Sequence, residues 1–255
     1  MFVISRIIWF ASATLPALVL FRGFRTRTLA TYSYFSIYVF SACAGSISLY
    51  LVWIERPDAY SRCYWGAQFL TLMIGCGIVL EIFRHVLRPY PGAEKFATAV
   101  GLVTFSAIFA FAFLYRLLAP DWSPSGTVIE LERDVRTVQA IFLFGIFAVI
   151  SYYQIPIGKN LKGMTAGYGL YILTSLVTLA VRSYAGPQFN NVWNVIQPLS
   201  YDASLLVWVV SMWSYHPNPV PDAAIRLEED YEALAARTKR ALGTMRSRLA
   251  KAGRT

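Results

Sequence analysis

The sequence predicts an all-α fold: a polytopic membrane protein built as a seven-transmembrane-helix bundle, followed by a C-terminal cytoplasmic amphipathic helix. Three observations carry this expectation. Seven apolar runs come close to the ~20 residues that a helix needs to cross ~30 Å of hydrocarbon. Over 255 residues the chain is 56% hydrophobic and only 15% charged, where a soluble domain carries about a quarter. The basic residues between the runs gather on alternate connections, as they do where loops alternate between cytoplasm and exterior. A transmembrane β-barrel would show short alternating segments instead.

The spans run in order over residues 3–21, 29–54, 63–87, 96–118, 135–155, 161–184 and 192–214. The first could pass for a cleaved signal peptide. Arg6 interrupts its apolar run, however, and no small-residue cleavage site precedes Arg22, so it is expected to stay as a helix. Pro16 in the first span and Pro198 in the seventh are expected to bend their helices, which neighbouring helices accommodate in a membrane. The third span stops at Pro89, Pro91 and Gly92, and the sixth starts after the turn 156–163. The fifth is expected to begin outside the bilayer. There Thr127 and Glu130 read as a capping box, and Glu130 with Arg133 and Glu132 with Arg136 stand at spacings for solvated ion pairs. Small residues four apart, Ser41 with Gly45 and Gly163 with Gly167, are expected to let helix backbones approach.

Charge orients the bundle. The first connection carries Arg22, Arg25 and Arg27 without an acid, the third Arg84, Arg88 and Lys95 beside Glu94, and the fifth Lys159 and Lys162. The second balances Arg56 and Arg62 against Glu55 and Asp58, and the fourth is mixed. The tail holds Arg226, Arg237, Lys239, Arg240 and four further basic residues. The N-terminus is therefore expected outside and the C-terminus in the cytoplasm. Trp53, Trp65, Trp122 and Trp193 then fall near the outer boundary and Trp213 near the inner one. The net charge of +9 is absorbed by the inner loops and tail, so the expected partner is a bilayer with anionic headgroups and not nucleic acid. Cys43, Cys63 and Cys76 offer no outer disulfide pair, and no N-x-S/T sequon occurs. Both absences favour a bacterial inner membrane.

Three parts follow: a transmembrane domain over 1–215, a stiff Pro-rich linker over 216–221, and a cytoplasmic amphipathic tail over 222–255. Asp222 is placed to cap the tail helix, and Ile225, Leu227, Tyr231, Leu234, Leu242, Met245 and Leu249 recur at near-helical intervals. Such a helix can lie on the inner leaflet, pair with a second copy, dock on a cytoplasmic protein, or simply secure the chain end. Thr238 interrupts any coiled-coil seam.

Asp202 is the sharpest candidate for function. It falls near the middle of the seventh span, where an ionised carboxylate is costly, and no Arg or Lys is expected at its depth. It is expected to stay neutral, as a hydrogen-bond donor or ligand contact, or else to fix packing through an interhelical hydrogen bond. Asn191 and Pro198 share its face, with Asn194, Gln197 and Tyr201 beside them. Tyr34, Tyr38 and Ser41 of the second span, Gln139 of the fifth, and Tyr171, Thr174, Ser175 and Thr178 of the sixth would complete a tyrosine-rich pocket for a small molecule or lipid. A second cluster, Glu81, Arg84, His85 and Arg88, stands at i, i+3, i+4 and i+7 at the inner end of the third span. It reads as an interfacial salt-bridge cluster with snorkelling arginines, or as a phosphate or headgroup site or a pH switch through His85.

Missing parts argue against several chemistries. No Lys lies in the interior of a span for a retinal Schiff base, since Lys162 stands at the inner edge of the sixth. His85 and His216 sit at edges, which removes bis-histidine haem ligation. Glu81 and His85 alone are too few for a catalytic metal. The membrane serines lack a His or Lys at their depth to act as base. No cofactor or metal is expected, and enzymatic activity is disfavoured, although chemistry by carboxylate and tyrosine stays open. Three classes remain: a receptor-like or sensory module that signals through the C-terminal helix, a small proton- or cation-coupled transporter or channel using Asp202, and a non-catalytic assembly protein.

Overall fold

The structure, a computed structural model, describes residues 2–26, 28–118, 124–185, 190–219 and 224–252. Among the described residues the only regular elements are helices: α1 (Phe2–Arg25), α2 (Thr28–Thr31), α3 (Ser33–Glu55), α4 (Pro57–Leu87), α5 (Pro91–Leu118), α6 (Pro124–Tyr153), α7 (Lys159–Ala185), α8 (Asn190–Ser211) and α9 (Ala224–Ala252). Five of them, α3 to α7, are long and apolar enough to cross a membrane, while α8 offers a shorter apolar stretch, Val195–Ser211. The seven runs read from the sequence overlap α1 and α3 to α8, but among the described residues five of these helices, not seven, have the length and apolarity of a span. The short α2 and the tail helix α9 are additional.

The distribution of side chains is inverted relative to a water-soluble bundle. Phe111, Phe144 and Val103 are 72%, 77% and 68% exposed, whereas Arg136 and Gln139 are 1% and 0% exposed. Burying a guanidinium while presenting phenylalanine outward is costly in water. It is the stable arrangement where the surroundings are hydrocarbon.

Proline sets several boundaries. Pro57, Pro91 and Pro124 each occupy the first helical position, where the missing N–H costs nothing. Only Arg56 separates α3 from α4, so these two helices form a tight antiparallel pair. Because α6 starts at Pro124, Thr127 lies inside its first turn and is not the N-cap expected from the capping-box pattern.

α4 is the central helix, touching α3, α5, α6 and α7, and α1 lies between α3 and α8. Its run Gly75, Cys76, Gly77, Ile78 and Val79 is buried all round. Close approach explains both glycines: a Cβ at Gly75 would strike the Tyr168 hydroxyl, and one at Gly77 the Tyr34 ring. Gly163 and Gly167 seat α7 against Ser211 and Trp208 of α8, as their spacing predicts. Gly45 differs from the packing expectation, since nothing lies within 4 Å of its Cβ position and it faces open space.

The ends of α1, α4, α6 and α8 meet the starts of α3, α5 and α7 at one end of the bundle, where the tail also docks. The Arg22 guanidinium donates to the Trp213 carbonyl at 3.0 Å and lies 4.1 Å over that indole. α6 closes with Gln154 in the left-handed region at φ 52° and the Ile155 N–H donating to the Ile150 carbonyl at 3.0 Å. That is a helix end at which glycine is usual. Asn160 at the start of α7 clasps the end of α8. Its amide donates to the Ser211 and Ser214 carbonyls, both at 2.8 Å, and its carbonyl accepts from the His216 N–H at 2.5 Å. Asn218 accepts from the Gly158 N–H at 3.0 Å, strapping the linker to the same turn. α9 docks through its first turns only. Glu228 accepts from the Gly92 N–H at 2.8 Å, Asp230 from the Tyr153 hydroxyl at 2.9 Å, and Leu227 is buried. Further along, Leu234, Leu242 and Met245 are exposed. Asp222 lies outside the described residues.

Candidate functional site

A cavity of about 570 Å³ opens in the half of the bundle nearer the α3–α4 turn, lined by α1, α3, α4, α7 and α8. One wall is a trough of small side chains on α3, Ser41, Ala44, Gly45 and Ser48, whose i, i+3, i+4, i+7 spacing puts them on one face. Tyr38 continues that face one turn earlier, Tyr171, Gln197 and Tyr201 stand on α7 and α8, and Gln68 and Thr71 of α4 complete the lining. The volume falls in the ordinary range for small-molecule sites. Gln197 is fixed by two partners on α7: its amide donates to Ser175 Oγ at 2.7 Å, and its carbonyl accepts from Thr178 Oγ1 at 3.2 Å. The Tyr201 hydroxyl is buried and has no hydrogen-bond partner among the described residues.

Behind Tyr171 lies a buried ionic network that corrects the expected solvated pairs on the fifth span. Glu132 and Arg136 face the interior, their side chains 8% and 1% exposed, with Arg136 Nη2 3.5 Å from Glu132 Oε1. The i,i+4 spacing is as read, but the face of α6 that carries it turns toward α4 and α7. Arg136 also donates to the Tyr171 hydroxyl at 3.2 Å and to Gln139 Oε1 at 3.4 Å, and its guanidinium lies 4.6 Å from the Tyr171 ring centroid. Gln68 donates to Glu132 at 3.2 Å, and Gln139 to Cys76 Sγ at 3.5 Å. These contacts are longer than the ~2.7–2.9 Å of tight charge-assisted bonds. Among the described residues, Arg136 Nε and the Tyr168 hydroxyl have no hydrogen-bond partner. Arg133 lies 3.4 Å from Asp134 and both side chains are exposed.

Asp202 is 7% exposed and accepts a 2.7 Å hydrogen bond from Ser12 of α1. It sits beside the cavity: Ser12 lines it, and so does its neighbour Tyr201, whose ring lies 5.7 Å from that of Tyr171. The expectation that the bundle holds no cation at this level is overturned by Arg136, which reaches Tyr171 from α6. The carboxyl of Asp202 nevertheless bonds to Ser12 and not to that guanidinium.

Of the residues assigned to the pocket from sequence, Tyr38, Ser41, Tyr171, Gln197 and Tyr201 do line it. Gln139 belongs to the Arg136 network behind it. Tyr34 points to the opposite end of the bundle, over Gly77. The side chains of Asn191 and Asn194 lie outside the described residues.

Glu81, Arg84, His85 and Arg88 line a second cavity of about 340 Å³ at the tail end, with Ser33, Tyr34 and Glu94. The expected salt-bridge cluster takes a different form. Glu81 turns to α3 and accepts from the Tyr34 and Phe35 N–H groups at 3.1 and 2.9 Å, serving as an N-cap supplied by another helix. His85 Nε2 lies 3.2 Å from the Thr31 carbonyl, its ring 4.7 Å from that of Tyr32. Arg84 and Arg88 are exposed.

No family model, no curated protein and no solved structure matches this chain.

Proposed function

We propose that this chain is a seven-crossing membrane protein, N-terminus outside and C-terminus in the cytoplasm, that works as a receptor-like or sensory module. In this reading a small molecule or lipid occupies the α1, α3, α4, α7, α8 cavity. Occupancy is felt by Tyr38 and passed along α8 to the linker and tail. The observation that carries the reading is the continuity from cavity to tail. Tyr38 lines the cavity and stands edge-on to Trp208 at 6.0 Å, and Trp208 rests on Gly167 of α7. One helical turn on, Ser211 and Met212 are held by Asn160, which also fixes the linker through His216. A shift of α8 therefore has a path through Asn160 to the linker at His216, and a coupled output requires such a two-position element.

Gly45→Trp tests the reading, because a Cβ at Gly45 meets nothing within 4 Å and the position lines the cavity. Filling the trough is expected to remove ligand binding and to fix the linker in one state, reported by a fluorophore on the tail, while thermal stability is kept. Deleting 222–255 is expected to abolish output and leave binding intact. Loss of neither function in the two variants would overturn the reading.

A second reading is favoured by the Asp202–Ser12 bond, a buried carboxyl bridging α8 and α1, of the kind that couples proton movement to transport. Proton-coupled flux in liposomes that Asp202→Asn abolishes would support it over the sensory reading.

A further inference from the structure

The cavity's chemistry narrows what it can hold, and this inference rests on the reading above that the cavity is a ligand site. None of its described lining residues is charged. The ionisable groups nearest it stand outside the lining: the Asp202 carboxyl is taken up by Ser12, and Arg136 and Glu132 answer each other behind Tyr171. An ionic ligand would lie in a low-dielectric chamber without a counter-charge, which is strongly unfavourable. The Tyr201 hydroxyl has no partner among the described residues and no free surface in the cavity, so it is a donor that a ligand's acceptor reaches once the ring shifts. An unsatisfied donor of this kind is retained at a cost unless something bonds to it for part of the time. The rim carries Phe40 and Leu70, 62% and 53% exposed, each in a helix apolar enough to span a membrane. A rim of exposed apolar side chains at mid-helix faces hydrocarbon, so the mouth opens to the lipid phase.

We infer that the cavity takes an uncharged, lipid-soluble molecule admitted sideways from the bilayer, with an acceptor oxygen, such as a carbonyl, held by the Tyr201 hydroxyl. The trough at Ser41, Gly45 and Ser48 accommodates the body of the molecule, and the tyrosine side reads its polar end.

The test is photolabelling of the full chain in neutral liposomes with three diazirine probes of equal chain length: a long-chain ketone, the corresponding fatty acid and the corresponding trimethylammonium salt. The ketone is expected to label the cavity walls at least tenfold above either charged probe. Tyr201→Phe is expected to cut ketone labelling at least fivefold without lowering the melting temperature, and Gly45→Trp to abolish it. Equal or stronger labelling by a charged probe would overturn the uncharged class while leaving the cavity as a ligand site. Ketone labelling that survives Tyr201→Phe unchanged would overturn the assigned acceptor contact. Failure of all three probes to label the cavity would overturn both this inference and the reading on which it rests.

Discussion

Removing one partner of the Glu132–Arg136 pair is expected to cost far more than an ion pair predicted from helix spacing alone would cost. At their 3.5 Å separation the Coulomb attraction is about 5 kcal/mol at an effective dielectric of 20, against about 1 kcal/mol in water. Glu132→Ala leaves a guanidinium that is 1% exposed without its carboxylate, and also strips the Gln68 amide of its acceptor. Breaking a buried pair in this way costs about 3–5 kcal/mol, or two to three and a half orders of magnitude in the folding equilibrium at ~1.4 kcal/mol per decade. The double variant Glu132→Leu, Arg136→Met removes both charges and fills the space with apolar groups, so it should be more stable than either single variant. The assay is reversible unfolding in mixed detergent micelles followed by tryptophan fluorescence. A single-variant loss below about 1 kcal/mol with additive behaviour in the double variant is what a solvated pair gives. That result would refute the buried network.

Four further outcomes are expected in the same assay or by hydrogen exchange. Gly163→Ala should cost about 1–3 kcal/mol by wedging α7 from Ser211, whereas Gly45→Ala should gain about 0.5–1 kcal/mol, since its site is open and alanine is the better helix former. Asn160→Ala should leave the Ser211 and Ser214 carbonyls and the His216 N–H without their partner. A local loss of about 1–3 kcal/mol would speed amide exchange over 211–219 by roughly ten- to a hundredfold while the rest of the bundle keeps its protection. Gln154→Gly should stabilise by up to about 1 kcal/mol, because the left-handed backbone there suits glycine, and a loss of stability would contradict the assigned helix end.

The helices were legible because hydrocarbon imposes a length and an apolar composition, whereas their starts at Pro57, Pro91 and Pro124 lie 5 to 11 residues before the expected span starts at 63, 96 and 135, because the first turns are polar. Tyr38, Ser41, Tyr171, Gln197 and Tyr201 were legible as pocket residues because polar side chains inside an apolar run have few alternatives to facing the interior. The Glu132–Arg136 network was hidden by the same logic. Four acids and three basic residues between 116 and 136 look like a solvated loop, and only the rotation of α6 against α4 and α7 turns one of its faces inward. A signal was present: Glu132, Arg136 and Gln139 lie on one helical face, continuous with Leu143, with Glu130, Arg133 and Thr137 off it. The role of Glu81 was illegible for a different reason, since its partners are backbone N–H groups on another helix, and no side-chain pattern records these.

Every functional statement depends on the bundle lying across a membrane with the α3–α4 turn on the outer face and the tail inside. Cys63, exposed near the start of α4, provides the most direct measurement without any engineering at that end. A membrane-impermeant maleimide applied to intact cells is predicted to label Cys63 at once, and to label a cysteine introduced at Ser214, exposed beside the linker, only after permeabilisation. Labelling of both positions from the same face of the intact membrane would contradict the account.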